Sequence, residues 1–82
     1  MGMDEIEIVH RIGKLVEDEH ALERAHAGTP PTQVEVAHLR EIEVALDQCW
    51  DLLRQRRARR ETGQNPDDAH VRPARVVEGY QQ

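Results

Sequence analysis

The chain has 82 residues, a formal net charge of −5, one cysteine, one tryptophan, one tyrosine and no phenylalanine. A lone cysteine excludes an internal disulfide, and a chain this short buries little as a single helical unit, so self-association or a bound ion is the expected supplement. The acidic balance disfavours nucleic acid, no run is apolar enough for a membrane span, and the acidic start does not read as a secretory signal, which together point to the cytoplasm.

The spacing predicts a first helix over about 4–27. Ile8, Val9, Ile12, Leu15, Val16 and Leu22 recur at steps of three and four, which is a helical stripe and not a strand alternation. Asp4, Glu5 and Glu7 place negative charge where the helix dipole favours it. Gly13 is a weak point inside this helix that suits a close helix approach. Gly28-Thr29-Pro30-Pro31 then stops the helix, and so short a connection favours antiparallel neighbours.

Thr32-Gln33-Val34-Glu35 reads as a capping box opening a second helix over about 32–60. Leu39, Ile42, Leu46, Cys49 and Leu53 follow at heptad-seam spacing, with Trp50 beside the seam. Thr62-Gly63 and Asn65-Pro66 end that helix. Residues 62–82 read as an extended or irregular tail, with room for a short helical turn near Val76, that docks on the helices through Val71, Val76, Val77 and Tyr80. The predicted architecture is all-α: an antiparallel two-helix hairpin over 1–61 with a docked C-terminal tail. Ile12 should meet the turn from Leu46 to Cys49. Each helix carries an apolar flank wider than one partner covers, so a homodimer forming a four-helix bundle is expected. Its interface residues would be Val9, Val16, Leu46, Cys49, Trp50, Leu53 and Tyr80.

Two Glu-x-x-His pairs, Glu17 to His20 and Glu35 to His38, place carboxylate and imidazole on one helical face, as in carboxylate-bridged metal bundles. Glu19 interrupts the apolar seam between Leu15 and Leu22, where a charge needs a partner or a metal. A candidate metal set is therefore Glu19, His20, His38 and Glu43, taken from more than one chain, for a divalent ion such as iron, manganese or zinc. The competing reading has Glu19 paired with Arg40 or a histidine, Glu35 engaged as a cap, His38 solvated and no cofactor at all.

Five arginines lie among the seven residues Arg54 to Arg60. They could grip phosphate, but the hairpin sets them beside Asp4, Glu5 and Glu7, and cations suit a helix C-terminus. Stacking aromatics are lacking as well, so nucleic-acid or ribosome contact ranks third. Cys49 reads as a small core residue with nothing nearby to activate it. Without a serine no Ser-His-Asp triad can form, and no phosphate loop occurs.

The run from Glu43 to Ala58, centred on Asp47-Gln48-Cys49-Trp50-Asp51-Leu52-Leu53-Arg54-Gln55-Arg56-Arg57-Ala58, resembles the signature of a small actinobacterial family of domains of unknown function, number 2630. Val71-Arg72-Pro73 followed by Val76-Val77-Glu78-Gly79-Tyr80 is similar to that family's ending, and Glu19-His20 to its first helix. The resemblance spans nearly the whole chain. It implies a bacterial, cytosolic helical protein and transfers no activity. The expected function is thus a non-enzymatic, homodimeric module that binds another protein through the hairpin face or the tail. The ferritin-like metal bundle is the alternative.

Overall fold

The computed structural model describes residues 4–78, the side chain of Glu78 apart. Two long helices, α1 (Glu5–Ala25) and α2 (Gln33–Glu61), form the hairpin. A 3-10 turn at Pro66–Asp68 and a short helix α3 (Ala74–Glu78) complete the order.

Each long helix begins on a reciprocal cap. The Glu7 amide donates to Asp4 Oδ1 at 2.8 Å, and the Asp4 amide reaches Glu7 Oε1. The Glu35 amide donates to Thr32 Oγ1 at 3.2 Å, and Thr32 N–H donates to Glu35 Oε1 at 3.1 Å. Both arrangements satisfy amides that have no intrahelical acceptor. α1 stops two residues before the predicted end. His26 N–H bonds back to Glu23 O at 3.2 Å and Ala27 N–H to Arg24 O at 3.3 Å, a tightening that closes the last turn. His26 Nε2 then meets the Glu35 carboxylate, tying the end of α1 to the start of α2. At the far end Arg60 pairs with Glu5.

α2 ends in a Schellman arrangement. Gln64 N–H donates to Arg59 O at 2.7 Å and Gly63 N–H to Arg60 O at 3.3 Å. Gly63 holds φ 76, the left-handed region this turn requires.

The core follows the predicted seam at Ile42 and Cys49 but turns to Leu52, leaving Leu39, Leu46 and Leu53 half-buried beside it. Ile8, Ile12, Cys49, Leu52 and Ala69 form one buried cluster, with Leu15, Val16, Leu46 and Leu53 packed around it. Ile8 and Val77 are fully buried; removing one such aliphatic side chain from water is worth about 2 kcal/mol. Ala69 and Val77 belong to the tail, so the core has three contributors rather than two. Within the tail Ala74–Glu78 is helical, where the sequence allowed a short turn near Val76. Pro73 starts that turn: its carbonyl accepts from Val76 N–H at 2.9 Å and Val77 N–H at 3.2 Å. Five residues are too few for a helical period to register in the sequence.

Candidate interaction surface

α2 has two flanks beside its core line, and the tail occupies one of them. Gln48, Asp51 and Gln55 recur at steps of three and four, so they share that flank. All three hold the tail. Gln48 Nε2 donates to the Arg72 carbonyl at 3.1 Å. Gln55 Nε2 donates to the His70 carbonyl at 2.8 Å, and to Asp51 Oδ2 at 2.9 Å. Arg72 closes on Asp51 with a two-pronged pair: Nε donates to Oδ2 at 2.9 Å, and Nη2 to Oδ1. Asp51 is fully buried. The Arg72 guanidinium, aided by the Gln55 amide, holds its carboxyl below the usual range even though burial opposes this. Further along, Arg56 Nη1 donates to the Pro66 carbonyl at 3.2 Å and to Asp67 Oδ1 at 3.1 Å.

This clamp accounts for much of the signature run. The sequence carried its members only inside the family-like motifs and the arginine run, with no role as a clamp assigned to any of them. The available signal was the polar line Gln48, Asp51, Gln55 beside an apolar seam, together with the lone Arg72 between Val71 and Pro73.

The predicted arginine cluster is divided among separate tasks. Arg60 pairs with Glu5 as expected, but Asp4 and Glu7 are engaged in the cap. Arg56 serves the tail, and Arg59 Nη1 donates to Gln64 Oε1 at 3.1 Å. Arg54 lends its charge to Asp51. Arg57 is exposed, with no ion pair among the described residues.

The metal set does not converge within one chain. Glu19 is half-buried and makes no hydrogen bond or ion pair to a described residue, while His20, His38 and Glu43 are exposed. Among the described residues no group of three His, Cys, Asp or Glu side chains could hold a metal ion. Such a site would need ligands from a second copy.

The expected interface residues separate into three groups. Cys49 is spent inside the chain: it lies in the core cluster, and a cleft of about 120 Å³ lined by Arg11, Ala45, Gln48, Leu52 and Val71 reaches it. Burial pushes its thiol up, only partly offset by Arg11. This bears out its reading as a small core residue and leaves it little surface for the interface role also expected of it. Tyr80 lies outside the described residues. Val9, Val16, Leu46, Trp50 and Leu53 remain, and helical spacing gathers them on the flank opposite the tail. Arg11 marks the tail side of α1; Val9 and Val16 stand across the Ile8–Ile12 line from it. Trp50 is 49% exposed and Val9 57%, while Val16, Leu46 and Leu53 are half-buried.

No helix among the described residues is long and apolar enough to cross a membrane. No solved structure matches the chain. An uncharacterised protein of Mycobacterium bovis and uncharacterised proteins of two Mycobacterium tuberculosis strains are each 53% identical over 76 residues, covering 90% of this chain and 86% of theirs. The profile of the family described as "Protein of unknown function (DUF2630)" matches residues 4–82, which takes in the hairpin, the clamp and the tail alike. Carrying both the signature helix and the tail that it clamps, the chain belongs to this DUF2630 family of small helical proteins.

Proposed function

We propose that the protein is a non-enzymatic interaction module of the bacterial cytoplasm that works as a homo-oligomer, in its simplest form a dimer of hairpins. One observation carries this reading: the only tryptophan stands half-exposed in mid-helix, beside exposed Val9 and half-buried Leu46 and Leu53, on the flank the tail leaves open. An aromatic with aliphatic neighbours on an open helix face is the composition of an interface centre. A chain of this size also gains stability by covering such a face. The assembled hairpins would then offer their tips and tail faces to another protein.

Light scattering on the eluting protein tests the reading. A dimer mass at micromolar concentration is expected, and a monomer across that range would overturn it. The metal alternative draws no support from the placement of Glu19, His20, His38 and Glu43 within one chain.

A further inference from the structure

We infer that the occupant of the open flank is a second copy docked with its α2 antiparallel to the first, the two-fold axis passing at Trp50. This rests on the proposed self-association and adds its register. Val36, Glu43, Trp50 and Arg57 fall at intervals of seven along α2, so they form one line down that flank. Leu39, Leu46 and Leu53 form a half-buried line next to it, on the side facing the core. All four members of the outer line are exposed.

The charges on that line are opposite in sign and equally distant from Trp50. Glu43 lies two turns before it and Arg57 two turns after. Neither has an ion pair among the described residues. Within one helix they stand about 21 Å apart, too far to meet each other. Turning a second copy end for end about Trp50 brings Glu43 of each chain to Arg57 of the other, and both pairs form at once. Asp47 and Arg54, about one turn either side of Trp50, are exchanged the same way. A two-fold contact requires such self-complementarity, in which one residue meets a second and the second meets the first. The parallel alternative sets Glu43 against Glu43 and Arg57 against Arg57, which charge repulsion disfavours.

Gly13 adds an independent point. It lies between Val9 and Val16 on the same flank, and a Cβ built there would meet nothing within 4 Å. Nothing inside the chain needs a glycine at this position, whereas a second helix crossing the flank would.

Charge reversal tests the register. Glu43→Arg and Arg57→Glu are both surface changes, and circular dichroism should report unchanged helicity. In the antiparallel dimer each reversal sets like charges together twice, so the dissociation constant should rise roughly tenfold in each single variant at low salt. The double variant E43R/R57E should return to within about threefold of the original, since the pairs are merely exchanged. If the native chain dimerises and all three variants match it, the register is overturned while self-association stands. A monomeric native chain overturns both.

Discussion

Asp51 is a fully buried carboxylate whose charge is met by a guanidinium that still reaches solvent: the Arg72 side chain is 27% exposed against 1% for Asp51. That asymmetry decides which half of the pair is more costly to lose. Arg72→Ala strands a buried carboxylate, and a loss of about 3 kcal/mol is expected in urea unfolding. Asp51→Ala leaves an arginine that can turn outward, so its cost should be smaller. The pair also has a pH signature. The carboxyl is lowered in the folded chain, so its contribution is full above the ordinary aspartate value of about 3.9 and disappears as pH falls through the lower folded value. The gap in Tm between the native chain and Asp51→Asn should therefore be constant from pH 7 to about 5 and close below pH 4. A gap that persists at acid pH would show that the charge is not what secures the tail. At this scale the sequence was least legible. Asp51 and Arg72 are separated by 21 positions, and no local periodicity connects a mid-helix aspartate to one arginine in a short tail.

At the scale of elements the tail behaves as a third layer. It contributes Ala69 and Val77 to the core and closes over Cys49, which the two helices alone would leave covered on one side only. The buried, raised thiol should resist alkylation in the native chain, because the reactive species is the thiolate. Releasing the tail with Arg72→Ala should raise the labelling rate well before global unfolding, as local opening without loss of the hairpin predicts. Equal protection in that variant would place the cover elsewhere. The helices themselves were legible because their signals are local. Thr32-x-x-Glu35 fixed the start of α2, Gly63 its end, and the Ile8–Ile12 spacing with Ile42 and Cys49 its shared face, whereas buried Leu52 was passed over for its half-buried neighbour Leu53. The Schellman turn is correspondingly sensitive at one point. Gly63→Ala has open space for its methyl but must hold φ 76, so a cost of about 1 kcal/mol is expected from conformation alone.

The whole molecule is long and thin. Its radius of gyration is 15.0 Å and its extents are 50 × 25 × 20 Å, against about 12 Å for a compact chain of this length. A single layer of two helices has two flanks, and the described part of the tail covers one of them. Sequence reasoning reached the surplus of apolar flank because it needs only the width of the stripe. It could not say how much of that flank the chain keeps for itself: Cys49 was legible as a small core residue, but nothing local in the sequence shows that Ala69 of the tail joins it there. Trp50 serves both folding and assembly. Half of its surface is covered by its own chain, so Trp50→Ala should lower the unfolding free energy at high dilution by about 2 kcal/mol. If the open flank is covered by a second copy, association stabilises the folded state by mass action, and the native Tm must rise with protein concentration. In Trp50→Ala that slope should flatten, because the centre of the covered face has been removed while the hairpin, its caps and its clamped tail are untouched. A native Tm independent of concentration from about 1 to 500 μM would mean that the flank stays open in solution, and that its tryptophan awaits a different protein.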